Sequence, residues 1–148
     1  MNPPRPIYET DDNISAEKAT ALECAEAWDA DCQKLKKLYP LDFVFIRDNV
    51  ICGFAEIKCR TCERKKYPTY MLGLDKLIKA RVFARFANVP CLLIVKWTDN
   101  IGFIDVNTPQ DFLSIGGRTD RDDELDIEPV AHWSISLFRL VKRKRNDR

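Results

Sequence analysis

A single α/β domain with a mixed β-sheet flanked by α-helices is predicted by three stretches of the 148-residue chain. Residues 41–46 (LDFVFI) and 51–60 (ICGFAEIKCR) are rich in β-branched and aromatic side chains and flank the turn signal Arg47-Asp48-Asn49, which makes them a hairpin. Residues 69–87 carry Met71, Leu74, Ile78, Val82 and Phe86 at helical spacing and stop at Asn88-Val89-Pro90. Residues 91–97 (CLLIVKW) are continuously apolar, as in a strand covered on both faces. Strand, helix and strand in that order form a crossover unit, so residues 91–97 are expected to lie parallel to residues 51–60.

The remaining elements are placed around this unit. Residues 1–13, with three prolines and little apolar content, are expected to be an extended arm. Ser15 is a suitable N-cap, and Ala21, Cys24, Ala25, Trp28, Cys32 and Leu35 mark a helix over residues 16–35. Glu17 precedes Ala21, Cys24 and Trp28 by four, seven and eleven positions, so it is the acid of this helix that shares the apolar stripe. Lys34, Lys36 and Lys37 alternate with Leu35 and Leu38, a pattern that suits either a short strand or the helix end. Beyond the crossover, residues 101–106 (IGFIDV) read as a strand and residues 107–128 as irregular, with a turn at Gly116-Gly117-Arg118. Residues 130–140 alternate Ala131, Trp133, Ile135 and Leu137 against His132, Ser134 and Ser136, a strand with one buried face and a structural histidine. Residues 139–148 form a basic tail.

Composition narrows the function classes. With 24 Lys and Arg against 23 Asp and Glu the chain is no simple polycation, although local basic surfaces remain. No apolar run approaches the roughly 20 residues that span a bilayer, and the N-terminus lacks a signal peptide's apolar region, so a soluble, cytoplasmic protein with no membrane partner is expected. Cys59-x-x-Cys62 has the spacing of half a zinc site, but the second half is missing, and the six cysteines read as reduced thiols.

One strand carries chemistry. Side chains alternate between faces, so Glu56 and Lys58 share a face with Phe54 inside an otherwise apolar run. A covered charged pair needs a partner such as a metal ion. Asp42 joins Glu56 across the hairpin if partner numbers sum to 98, which implies a three-residue loop of Asp48, Asn49 and Val50; a two-residue loop turns Asp42 to the opposite face. With Glu17 from the first helix, these carboxylates make a hard, oxygen-rich site suited to Mg²⁺ or Mn²⁺, and a nearby lysine orients water or stabilises negative charge. Hydrolysis of a nucleic-acid phosphodiester, preferably DNA, is the matching reaction. Lys76 flanks the stripe of the second helix within reach of the sheet edge, and Arg60, Arg64, Lys65 and Lys66 follow the strand as a basic loop facing a phosphate backbone. Tyr67, Tyr70 and Trp97 read first as core packing, with stacking on unpaired bases as the alternative.

Pro40-Leu41-Asp42 followed by Glu56-Ile57-Lys58 resembles the PD-(D/E)XK nuclease superfamily, and more loosely its small phage and prophage members, over residues 15–106. Leu41 departs from the family pattern, in which the proline and aspartate adjoin. The resemblance implies a restriction-endonuclease-like core, with Asp42 and Glu56 as metal ligands and Lys58 as the catalytic lysine. It makes Glu17 the additional helix acid and Lys76 the polar helix residue, in a phage-encoded protein acting inside a bacterial host. Homo-oligomerisation is left open, and the alternative is a nucleic-acid-binding or assembly protein that keeps the fold without cleaving.

Overall fold

The hairpin read from residues 41–60 lies inside a six-stranded sheet. The structure, a computed structural model, describes residues 11–116 and 127–142. It runs through α1 (Asp11–Ala27), β1 (Asp31–Lys34), β2 (Phe43–Arg47), β3 (Val50–Cys59) and β4 (Thr69–Gly73). Then follow α2 (Leu74–Ala87), β5 (Cys91–Lys96), β6 (Ile101–Asp105), β7 (Phe112–Gly116), β8 (Glu128–Ser134) and β9 (Arg139–Leu140). The large sheet has the order β1-β2-β3-β5-β6-β9, and a three-stranded sheet has the order β4-β8-β7. β3 and β5 pair in parallel, as the crossover requires, with Glu56 beside Leu93 and Lys58 beside Val95. Every other pairing is antiparallel.

Two apolar layers sandwich the large sheet. Phe43, Phe45, Ala55, Ile57 and Ile94 pack against Ala21, Cys24 and Ala25 of α1. The opposite face, with Phe54, Leu93 and Val95, packs against Leu77 and Ala80 of α2 and against Tyr70, Leu72 and Trp133 of the small sheet. Alternation along β3 therefore points Glu56 and Lys58 toward α2. Among the described residues no helix is long and apolar enough to cross a membrane.

The hairpin register resolves differently from the expected three-residue loop. Arg47 pairs with Val50, and Asp48 and Asn49 take positive φ of 52° and 61°, the backbone of a two-residue type I′ turn. Register then shifts between Ile46 and Phe45, so that Ile46 pairs with Ile51 but Phe45 pairs with Gly53, leaving Cys52 as the extra residue of a bulge. From there to Phe43↔Ala55 partner numbers sum to 98. One inserted residue in the strand thus replaces one residue in the loop, and the faces are restored.

Several boundaries move for identifiable reasons. α1 begins at Asp11, within the stretch expected as an extended arm, and ends at Ala27 instead of continuing to Leu35. Asp29 takes a left-handed φ of 52°, Asp29 N–H bonds Glu26 O at 3.3 Å and Ala30 N–H bonds Ala25 O at 2.9 Å, which closes the helix in a Schellman motif. Cys32 falls in edge strand β1. Residues 69–73, expected as the first turns of a helix, are strand β4, because pairing with β8 outweighs the helical spacing of Met71. Of the apolar stripe expected on this helix, which Leu77 and Ala80 widen, Leu77 and Ala80 are buried together with Ala84, while Ile78, Val82 and Phe86 are exposed. β7 lies inside the region expected to be irregular, the strand expected over residues 130–140 gives way to a 3₁₀ turn at Ile135–Leu137, and Arg139–Leu140 of the basic tail pairs with β6. The rest of the arm (1–10), Gly117-Arg118 with the acidic run, and residues 143–148 of the tail lie outside the described residues.

The turn generates a stability prediction. Asn49→Gly should raise stability by about 0.5–1 kcal/mol in urea denaturation, because glycine adopts positive φ without steric cost, whereas Asn49→Val should lower it by about 1–2 kcal/mol.

Candidate active site

Asp42 stands one residue before β2, where Leu41, 1% exposed, anchors the chain in the core. Its backbone is fixed on both sides: Asp42 N–H donates to Ala55 O at 3.0 Å, and Leu35 N–H donates to Asp42 O at 2.7 Å. The leucine separating Pro40 from Asp42 is thus a packing residue, and the backbone contacts carry the acid to the face that Glu56 occupies. Its half-buried carboxyl interacts directly with that of Glu56, itself 3% exposed. Burial, then the charge and hydrogen bond of Glu56, push the Asp42 carboxyl up to about 6, against the opposing charges of Lys76 and Lys34.

Two amines answer this negative charge. Lys58 Nζ lies 3.3 Å from Glu56 Oε1, and Lys76, from the first turns of α2, forms an ion pair with the same oxygen. Burial opposes the charge of Lys76, but Glu56 and Asp42 outweigh it and hold the amine above the ordinary lysine value. Both lysines remain about one-third exposed, 31% for Lys58 and 39% for Lys76, so their amines sit between buried carboxylates and solvent. With both acids ionised, Glu56 Oε2 is buried and accepts no hydrogen bond from a described donor. A pair of hard carboxylate oxygens with one buried atom lacking a donor is chemically suited to a small divalent cation.

Glu17 is buried on α1, the helix that covers the Ala55 and Ile57 face, and its charge bears on the Cys59 thiol of that face. Burial raises the Cys59 thiol, its hydrogen bond with Thr20 opposes this, and the charge of Glu17 adds to it. Among the described residues, no three His, Cys, Asp or Glu side chains gather into a metal-holding group, so the convergence is a carboxylate pair. Lys34 was legible only as an ambiguous charge; edge strand β1 pairs it with Phe43 and brings its charge to Asp42.

The basic residues after β3 form a ledge. Arg60 Nη2 donates to Tyr70 Oη at 2.7 Å, and its guanidinium lies 5.1 Å from the Tyr70 ring centre. Arg64 opens a 3₁₀ turn with Lys65 and Lys66, and its N–H donates to Asp99 Oδ1 at 2.9 Å, fixing the turn against the β5–β6 loop. Lys65 and Lys66 are exposed. His132 is buried as a hydrogen-bonded bridge, 2.8 Å from Thr69 Oγ1 and 2.6 Å from Ser114 Oγ, and knits β4, β8 and β7 together.

Comparisons with known proteins bear on this arrangement. The chain is similar to Archaeoglobus fulgidus Hjc, a Holliday junction resolvase from an archaeal hyperthermophile, with 15% identity and a TM-score of 0.54 over 82% of this chain and 90% of that one. At this identity the likeness is one of fold. No curated protein sequence matches the chain. A family model described as phage putative PDDEXK endonuclease matches residues 3–141. Matched across nearly its whole length, the protein belongs to that family of phage nucleases.

Proposed function

We propose that the protein hydrolyses DNA phosphodiester bonds with Mg²⁺ or Mn²⁺, using Asp42 and Glu56 to hold the cation and Lys58 to serve the reacting groups. The observation that carries this reading is the carboxylate pair, Glu56 buried and Asp42 half-buried, joined to two partly exposed lysines. Family membership and the resolvase-like fold support it. A bound divalent cation would supply charge neutralisation at the phosphate and make water a stronger nucleophile near neutral pH.

The chain's own groups do the rest. Glu56, fixed on a central strand between β2 and β5, is rigidly placed, and Asp42 is fixed by backbone hydrogen bonds on both sides. Lys58 extends from the same face toward solvent, where its amine can orient water and stabilise negative charge growing on the phosphate. Lys76 neutralises Glu56 in the protein alone and can turn to a backbone phosphate once that charge is otherwise met. Arg60, Arg64, Lys65 and Lys66 continue the positive surface beyond Lys58 and supply phosphate contacts along the strand.

Three measurements follow. Glu56→Ala and Lys58→Ala should each lower cleavage of labelled DNA in Mn²⁺ by about 100-fold or more, with single-stranded, double-stranded and branched substrates all assayed. Cleavage that persists in both variants, or is absent from every metal and substrate combination with the unaltered chain, leaves a non-cleaving nucleic-acid-binding protein. Asp42→Asn separates stability from activity. Because the folded pKa of Asp42, about 6, exceeds its ordinary 3.8, the acid's favourable contribution is present below about pH 4 and lost as pH rises to 6. The asparagine side chain copies the neutral form of the acid, so the variant should match the original at pH 4, exceed it by about 1–2 kcal/mol at pH 7.5 without metal, and lose cleavage. Replacing Lys65 and Lys66 together with alanine should reduce the slope of log affinity against log salt by about 1–2 for DNA binding.

A further inference from the structure

A cavity of about 260 Å³ opens where β3 leaves the sheet, and its aromatic and apolar lining has no part in the hydrolytic scheme. Its floor is Tyr70, Trp97 and Ile135, which are 5%, 3% and 7% exposed. Tyr70 and Trp97 meet edge to face at 6.4 Å and 86°, and Phe138 packs edge-on against both, so the aromatic floor is rigid. At its mouth Tyr67 and Met71 expose 58% and 52% of their surface, a costly display of apolar area unless something covers it.

The rim carries the opposite chemistry. Arg60 and Arg64 both line the cavity. Arg60 is preorganised by its hydrogen bond to Tyr70 and its position over the ring. Arg64 Nε is buried with no acceptor among the described atoms, a donor that a ligand in the cavity could satisfy. The cavity also lies near the carboxylate pair. Arg60 follows the end of β3 two residues after Lys58, and Tyr70 is close enough to Glu56 to feel its charge. An aromatic slot with cationic edges, placed a nucleotide or two along from a phosphate site, matches a base with its flanking phosphates better than it matches an apolar peptide side chain.

We propose that this cavity receives one unpaired nucleobase of the strand held at Asp42 and Glu56, stacked on Tyr67 at the mouth, with Arg60 and Arg64 taking the adjoining phosphates. The inference rests on the nuclease reading and extends it to substrate class: the strand to be cut is unpaired next to the scissile phosphate. A base within a continuous duplex must unpair and leave its stack to enter, so single strands and ends or branches with unpaired bases are favoured over intact duplex.

The test is an abasic scan read by binding alone. A short labelled single strand, with each position in turn made abasic, is titrated by fluorescence anisotropy with the full chain in EDTA; the same strand in a blunt duplex serves as comparison. One abasic position should weaken binding by about five- to a hundredfold. Tyr67→Ala should weaken binding of the intact strand by the same factor and erase the penalty of that position, Tyr67→Trp should restore both, and duplex affinity should change less than about twofold. Tyr67 is exposed, so its replacement leaves the core untouched. A flat scan, equal losses of single-strand and duplex affinity in Tyr67→Ala, or no single-strand binding at all would overturn the proposal. Failure of the nuclease reading would show separately, as an intact positional signature in a chain that cuts nothing in Mn²⁺.

Discussion

Two carboxylates held against each other on the covered face of a sheet are the constraint around which the structure is arranged. Asp42 and Glu56 repel, and burial raises the cost of ionising both, which is why Asp42 is pushed up to about 6. A fold selected for stability alone would place apolar side chains there, as it does at Phe54, Leu93 and Val95 on the same face. Instead β3 supplies Lys58 and α2 supplies Lys76, both converging on Glu56. The amines temper the charge without satisfying every oxygen, and what remains unsatisfied is the feature a divalent cation suits.

That constraint explains details that otherwise look incidental. A two-residue turn alone would put Asp42 on the wrong face, and the bulge at Cys52 corrects the register before the strand reaches Glu56. Strand β4 runs to Gly73 and α2 starts at Leu74, which puts Lys76 in the first turn of the helix, where it meets Glu56. The same strand brings Tyr70 to Arg60, linking the carboxylate pair to the aromatic cavity and the basic ledge. Along β3 and just past its end, the charge thus runs from buried Glu56 through one-third-exposed Lys58 to exposed Arg60, the arrangement on which the proposed contact with a polyanionic strand rests.

The residues of the pair were legible because their signals are local. An acid and an amine two apart in an apolar strand, with a second acid across a hairpin, mark a face without any knowledge of distant contacts. The parallel neighbour at Cys91–Lys96 was legible from element order. What escaped depends on long-range pairing. Thr69–Gly73 has helical spacing with the residues after it, and only β8, some sixty residues later, makes it a strand. The bulge was missed because loop length and strand insertion produce the same register, so the pattern of faces identifies their combined effect and not which of them occurs. Glu17 was read correctly as inward, but inward for α1 means the sheet face opposite Glu56, a distinction that helical periodicity does not carry.

The most direct measurement is the anomalous scattering of Mn²⁺ in crystals of the full chain soaked with the metal. A single strong peak within about 2.0–2.3 Å of carboxylate oxygens from both Asp42 and Glu56, with the Lys76 amine drawn away from Glu56, is the predicted result. A peak that touches only one of the two acids, lies at Glu17 alone, or is absent at saturating Mn²⁺ would contradict the assignment of this pair as the centre of the nuclease.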